Sequence, residues 1–169
     1  MNRAEYLSGV NEFFYQGEVL GEAVFDNFVR FEENAERRYK WGTLLQLETE
    51  TKARLRPFLT QLGLSIAQED VREKVAEFSR DYASKSWHQH MEGIAAVTNW
   101  YLEKFRAIES AAPDSERAVA HSMVLHEAAL NKFAQLELAG DANNSLNDVI
   151  AQLQYPLVNP ETPKVARAN

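Results

Sequence analysis

Residues 17–31 read GEVLGEAVFDNFVRF, and two glutamates lie four positions apart in this otherwise mostly apolar segment. Residues four apart share one face of an α-helix, so Glu18 and Glu22 lie on the same stripe as Phe14 and Phe25. An ionised carboxylate is costly to bury unless it is paired, hydrogen-bonded or bound to a metal. The segment therefore predicts a buried helix whose glutamates need partners elsewhere in the chain.

Length and composition predict one domain. The chain has 169 residues, of which 45% are hydrophobic, and this is enough for one substantial core without requiring a second. We predict a single helical domain over residues 1–155. Residues 156–169 contain prolines and polar residues, and they predict an extended or disordered tail.

Charge and residue usage argue against several classes of partner. The formal net charge of -7 opposes a general affinity for nucleic acid or anionic membrane surfaces, because both require concentrated Lys and Arg. The chain has no cysteine, which excludes disulfides, thiolate zinc sites and cysteine nucleophiles. No apolar run reaches the length of a membrane span, about 18 residues. We expect a cytoplasmic protein that binds neither nucleic acid nor membrane.

The distribution of helix breakers predicts an all-α fold. Only seven glycines and five prolines occur, and four of the prolines lie at or beyond residue 113. The apolar spacing follows the helical period throughout. Four long helices are predicted over residues 4–33, 35–62, 87–110 and 115–139, with shorter helices over 69–83 and 145–154. Short turns join helices 1 and 2 and helices 3 and 4, and a long helical crossover joins helices 2 and 3. This arrangement is typical of a four-helix bundle of ferritin-like connectivity.

The first hairpin predicts a partner position for the glutamates. With its turn near Ala35, Glu22 lies 13 residues before the turn and Glu48 lies 13 residues after it, so the two are level. In helix 2, residues from Trp41 to Leu55 advance by threes and fours and place Glu48 on the apolar face. Glu48 is therefore expected to be a second buried carboxylate.

Helix 4 adds an imidazole to this group. Met123, His126 and Leu130 advance by three and four along the inward face, so His126 is expected inside the bundle. Glu127, one position further along, is expected to face outward. Helix 3 offers no strong metal ligand at the same height, where Thr98 lies.

The two hairpins resemble those of the ferritin-like di-iron carboxylate superfamily, which includes rubrerythrins and aldehyde-deformylating oxygenases. The resemblance covers about residues 10–140, and its motif is one Glu from the first helix and a Glu-x-x-His from the second helix of each hairpin. Helix 2 keeps Glu48 but has Thr51 in place of the histidine. Helix 4 keeps His126 but has Met123 in place of the glutamate. An alternative register that starts at Glu127 keeps the glutamate but has Leu130 in place of the histidine, and the apolar seam disfavours it.

The resemblance implies a metal site with fewer ligands than the full set of the superfamily. Glu18, Glu22, Glu48 and His126 are its candidate ligands, and they are too few for two irons. Carboxylate and imidazole donors with open positions are the ligand types that mononuclear non-haem iron uses. The expectation is at most one ion per chain, iron or another divalent transition metal, or none. Without an ion, the glutamates would pair with Arg or Lys, or bond to hydroxyl groups, and His126 would be a hydrogen-bonded core residue.

A second histidine cluster occurs in WHQHMEG, residues 87–93. Residues two apart on a helix point in different directions, so His88 and His90 are not expected to share an ion with Glu92. The sequence leaves the role of these three residues open.

The sequence is compatible with two functions. The resemblance implies a metal-dependent oxidoreductase or oxygenase that acts on a hydrophobic small molecule. The alternative is a non-enzymatic, metal-free bundle that serves as a small-molecule carrier or protein-interaction module. A homodimer is an expectation taken from the superfamily.

Overall fold

A computed structural model describes residues 1–159, and this part of the chain is all-helical, without a strand. The first helix, α1, spans residues 3–31 without a break. It consists of α-helical Arg3–Gly9, π-helical Val10–Tyr15 and α-helical Gln16–Phe31. The other helices are α2 (Ala35–Gln61), α3 (Arg72–Ser79), α4 (Trp87–Ala111), α5 (Asp114–Leu138) and α6 (Asn147–Ile150), with a short 3-10 turn at Tyr82–Ser84. The all-α prediction is confirmed for the described residues.

Local sequence accounts for the ends of the long helices. Asn34 caps α2 by accepting a hydrogen bond from the backbone N–H of Arg37. Ser86 and Gln89 form a reciprocal capping box at the start of α4. Gly63, with φ at 70°, follows the end of α2, where a residue with a Cβ would be strained.

The long helices pack in two pairs, α1 with α2 and α4 with α5. Residues 62–86 connect the two pairs and carry α3, which packs against α1. Each long helix contributes to both apolar clusters of the core. One cluster is centred on Phe28, Trp41 and Phe133, and the other on Phe14, Leu59 and Phe105. Near the junction of the two clusters, each long helix carries at least one buried polar residue, and together these form a buried polar layer; its members include Glu18, Glu48, Thr98 and His126.

Several boundaries differ from those predicted. The crossover helix covers Arg72–Ser79 rather than residues 69–83, and the last helix covers Asn147–Ile150 rather than 145–154. The π-helical segment in α1 was not predicted, because its apolar residues keep a spacing that also suits an α-helix. Most of the predicted tail, residues 160–169, lies outside the described residues. Over residues 1–159, none of the helices has the length and apolar character needed to cross a membrane.

Candidate metal centre

Glu18 of α1, Glu48 of α2 and His126 of α5 converge in the buried polar layer. Each offers one ligand atom, and these atoms all lie within 4.8 Å of one another. The Nε2 atom of His126 is 3.2 Å from Glu18 Oε1 and 3.7 Å from Glu48 Oε1. All three residues are at most 3% exposed, so the cluster is almost fully buried. The predicted burial of Glu48 and His126 is confirmed.

The carboxyl group of Glu48 packs directly against Gly21 of α1. A Cβ placed on Gly21 would lie 2.5 Å from Glu48 Oε2 and 2.7 Å from its carboxyl carbon. The Glu48 carboxyl therefore occupies the space that any other residue at position 21 would fill. Gly21 thus allows a close contact between α1 and α2, whereas a Cβ at Gly17 would make an ordinary 3.6 Å contact with the ring of Tyr101.

The ring of His126 is held on its other side by α2. Its Nδ1 atom lies 3.2 Å from Thr51 Oγ1, which also accepts a hydrogen bond of 3.2 Å from Arg54 Nη2. This contact directs Nε2 towards the two carboxyl groups. Thr51 stands where the resemblance expects a second histidine, and here it supports the imidazole of α5.

Burial dominates the electrostatics of the group. It raises the pKa of Glu18 well above the ordinary value, and the neighbouring Glu48 raises it further. Burial also raises the pKa of Glu48 to about 8. Burial lowers the pKa of His126 to about 3, with a smaller contribution from the positive charge of Arg54. Near neutral pH the metal-free group is therefore largely uncharged, with protonated carboxyl groups and a neutral imidazole.

One atom of the group has no hydrogen-bond partner. Glu18 Oε2 is buried and receives no hydrogen bond from the described residues. A buried polar atom without a partner is destabilising, and native structures contain few of them. This atom is an observation in favour of a bound cation.

Glu22 lies outside the group. Its carboxylate contacts the ammonium of Lys52 and accepts a 2.8 Å hydrogen bond from Thr49 Oγ1, and its side chain is 26% exposed. Residues four apart on a helix differ in direction by about 40°, and this offset turns Glu22 towards the surface while Glu18 points inward. The structure therefore brings together Glu18, Glu48 and His126 from the predicted ligand set, and not Glu22.

The expectation that Glu127 faces outward is wrong. Glu127 is only 5% exposed, and burial raises its pKa well above the ordinary value, with a further contribution from Glu48. The signal that sequence reasoning missed is Ala120, Glu127 and Ala134 at seven-residue spacing, where both alanines are fully buried. Small residues on this face of α5 mark a second inward stripe.

Glu127 reaches a cavity of about 280 Å³ that also adjoins Glu18 and Glu48. The cavity lies mainly between α1 and α4, and most of its lining is apolar: Leu20, Val24, Phe25, Phe28, Ile94, Val97, Phe105 and Leu130. Its polar end carries Tyr101, whose pKa is raised to about 12 by burial and by the nearby Glu127. Lys85 and Gln89 also line the cavity and are exposed, so it opens to solvent beside the start of α4.

The second histidine cluster is not part of the metal centre. His88 is at the surface, where its Nε2 lies 3.6 Å from Glu92 Oε1. His90 is buried, with Nε2 3.2 Å from the backbone carbonyl of Tyr82 and its ring stacked near that tyrosine. The two histidines point apart, as the spacing predicts.

The chain matches no protein-family model, no curated protein and no solved structure. The interpretation of the site therefore depends on its own geometry and chemistry.

Proposed function

We propose that this chain is a ferritin-like helical bundle that binds one divalent transition metal ion and acts as an oxidoreductase on a hydrophobic small molecule. The ion would be held by Glu18, Glu48 and His126. The observation that carries the proposal is their convergence in a buried layer beside a largely apolar cavity. The two packed helix pairs and the long connection between α2 and α4 support the ferritin-like assignment.

The residues present fit one ion. Two carboxylates and one imidazole are donor types that mononuclear non-haem iron uses, here with one imidazole fewer and one carboxylate more than in its usual set of two histidines and one carboxylate. A cation would also give the unpartnered Glu18 Oε2 a favourable contact. Helix α4 contributes only Thr98 to this layer, and its hydroxyl donates to the carbonyl of Ile94. A second ion would therefore lack ligands from α4.

Iron, if bound by these residues, would supply redox chemistry with dioxygen or peroxide. Residues of the chain would orient the metal ligand, exclude water and exchange protons. Thr51 fixes the orientation of the imidazole through Nδ1. The apolar lining excludes water and accommodates hydrocarbon, while the buried Glu127 carboxyl and the Tyr101 hydroxyl can exchange protons with a molecule in the cavity.

Metal analysis tests the proposal. Protein purified without added metal should contain at most one transition metal ion per chain by elemental analysis. Titration of metal-free protein with Co(II) should give absorption bands of an imidazole–carboxylate site at one equivalent. Glu48→Gln should abolish this signal, whereas Glu22→Gln should retain it, because Glu22 lies outside the group. Two ions per chain, or none with no response to Co(II) or Fe(II), would refute the proposal.

A metal-free carrier is the second candidate, and one observation favours it. The raised pKa values of Glu18 and Glu48 and the lowered pKa of His126 leave the group nearly uncharged without an ion. Protonated carboxyl groups can donate hydrogen bonds to a ligand in the cavity. Absence of metal, together with a Glu48→Gln variant at least as stable as the wild type, would support the carrier.

A further inference from the structure

The cavity beside the metal centre is long and narrow. At one end, a Cβ on Gly17 of α1 would lie 3.6 Å from the ring of Tyr101 of α4. At the other end, the ring centroids of Phe28 of α1 and His90 of α4 are 5.7 Å apart. All four residues line the cavity. Since Phe28 lies eleven residues after Gly17 and a helix rises 1.5 Å per residue, the cavity is about 16 Å long.

The volume of the cavity admits a single chain. At about 30 Å³ for each water-sized group, a volume of about 280 Å³ corresponds to roughly nine groups. Over a length of about 16 Å, roughly nine groups form little more than a single file. One unbranched chain of about eight to ten carbons therefore fits, whereas a fused ring system or a lipid with two chains does not.

Charge is distributed unevenly along the cavity. The lining residues of α4 and the segment before it that are exposed to solvent lie towards the Phe28 end, which is therefore the mouth; they are Lys85, Gln89 and Gly93. Among the lining residues within 1–159, Lys85 is the one lysine or arginine. The acids of the lining are all buried; they are Glu18, Glu48 and Glu127. The mouth thus carries a positive charge, and the inner end carries none from a lysine or arginine.

The mouth also offers hydrogen-bond donors that the described residues do not use. The ammonium of Lys85 makes no hydrogen bond or ion pair with any residue of 1–159. Gln89 accepts a 2.8 Å hydrogen bond from the backbone N–H of Ser86 through Oε1, and its Nε2 donates to none of these residues. An ammonium and an amide NH₂ together suit a carboxylate, which accepts hydrogen bonds through both oxygens.

We infer that the cavity binds the anion of an unbranched, medium-chain carboxylic acid, with its carboxylate at the mouth beside Lys85 and Gln89 and its hydrocarbon chain directed inward. This inference rests on the proposed function, since it names the substrate class of the same site. The metal centre then faces the terminal carbons of the chain and not the carboxylate. The opposite orientation would bury a negative charge where the lining supplies no lysine or arginine, and burial of an unpaired charge is costly.

Head-group comparison on the full chain tests the inference. Decanoate, decan-1-ol and decylamine are titrated by calorimetry into metal-free protein. Because the mouth is exposed and ion pairs at exposed sites are weak, decanoate should bind roughly twofold to fivefold more tightly than decan-1-ol. Decylamine should bind most weakly, and high salt should reduce the differences. Decan-1-ol or decylamine that binds as tightly as decanoate, or no binding of any of the three, would overturn the inference.

A matched pair of surface variants locates the carboxylate. Lys85→Gln should remove the difference between decanoate and decan-1-ol. Lys74→Gln makes the same change at an exposed lysine of α3 that does not line the cavity, and it should keep the difference. A decanoate preference that survives in Lys85→Gln would overturn the assignment of the mouth.

A series of carboxylates from hexanoate to hexadecanoate tests the length of the cavity. Each additional buried CH₂ should tighten binding roughly fourfold until the cavity is full at about ten carbons, and longer chains should gain little more. Val97 is a half-buried lining residue between His90 and Tyr101, so Val97→Phe should move this limit to shorter chains. Affinity that ignores chain length, or that rises steadily to hexadecanoate in the wild type, would overturn the inference even if the variant is unstable.

Nuclear magnetic resonance of bound decanoate tests its orientation. The unpaired electrons of Co(II) broaden the signals of nearby nuclei, so in Co(II)-loaded protein the terminal methyl group should be broadened more than the methylene next to the carboxylate. Zn(II)-loaded protein, which has no unpaired electrons, is the control. The reverse order of broadening, or binding of decanoate only in the presence of Co(II), would place the carboxylate on the metal and overturn the inference.

The same measurements separate the inference from the proposed function. If the protein binds Co(II) but shows no preference for decanoate, only the inference fails. If it binds no Co(II) and still prefers decanoate with a limit in chain length, the proposed oxidoreductase fails and carboxylate binding remains.

Discussion

Gly21 and Glu48 are packed so closely that the carboxyl group of one occupies the side-chain position of the other. A Cβ on Gly21 would lie 2.5 Å from Glu48 Oε2, well inside the closest contacts that such atoms make. The position of the Glu48 carboxyl, and with it the geometry of the Glu18, Glu48 and His126 cluster, therefore depends on a residue that carries no chemistry of its own.

Gly21→Ala should weaken metal binding by displacing the Glu48 carboxyl. We expect Co(II) affinity to fall at least about tenfold, and overpacking to cost about 1–3 kcal/mol of the free energy of unfolding. Gly93→Ala is the matched control, because a Cβ at position 93 meets no atom within 4 Å. It should leave Co(II) affinity unchanged and, as a helical glycine replaced by alanine, raise stability by about 0.5–1 kcal/mol. Unchanged Co(II) affinity in Gly21→Ala would show that Glu48 is not held by this contact.

Glu48→Gln should have opposite effects on loaded and metal-free protein. In the presence of saturating metal, loss of a ligand should lower the melting temperature by roughly 5–10 °C, since binding to the native state is what raises it. Without metal, the neutral amide replaces a carboxyl that is costly to ionise, so stability near pH 8 should be equal or higher. Calorimetry of both forms checks this. Equal melting temperatures with and without metal in the wild type would contradict it.

The scarcity of helix breakers and the helical spacing of the apolar residues predict much of the fold. The same spacing placed Glu48 and His126 inside. It could not separate Glu18 from Glu22, because residues four apart share a face. Their offset of about 40° leads to different burial because of two long-range contacts, in which Lys52 and Thr49 of α2 hold Glu22 at the edge of the core.

The cavity was beyond sequence reasoning for a related reason. Its lining includes Gly17, Gly21 and Gly93, and hydrophobic periodicity records only the apolar side chains that are present. Glu127 was assigned to the surface on the same basis, because an alanine stripe contributes little to an apolar seam. Glu127 is nevertheless buried, and it lines this cavity.

The metal-free protein should lose stability as pH rises from 6.5 to 8. Glu48 has a pKa of about 8 in the folded protein, above the ordinary 4.5, so its contribution is complete below 4.5 and is lost as pH rises through 8. Glu18 and Glu127 have raised pKa values and act in the same direction. The lowered pKa of His126 acts oppositely, but its contribution is complete above 6.5.

Chemical denaturation at several pH values in this window measures the slope. Glu48→Gln should reduce the loss of stability with pH, and the exposed Glu103→Gln should leave it unchanged. Stability that is constant or increases across the window would show that these carboxyl groups are already ionised in the folded protein.

Thr51→Val should weaken metal binding without disturbing the shape of the core. Valine keeps the volume of threonine but removes the hydroxyl that lies 3.2 Å from His126 Nδ1, so the imidazole loses the contact that orients Nε2. We expect Co(II) affinity to fall roughly 10-fold to 100-fold, and Thr51→Ser to restore most of it. Thr43→Val is the matched control on the same helix, because Thr43 is also fully buried but its hydroxyl donates to the backbone carbonyl of Tyr39. If both valine variants bind Co(II) equally well, Thr51 has no part in positioning the ligand, and the orientation of His126 is set by packing alone.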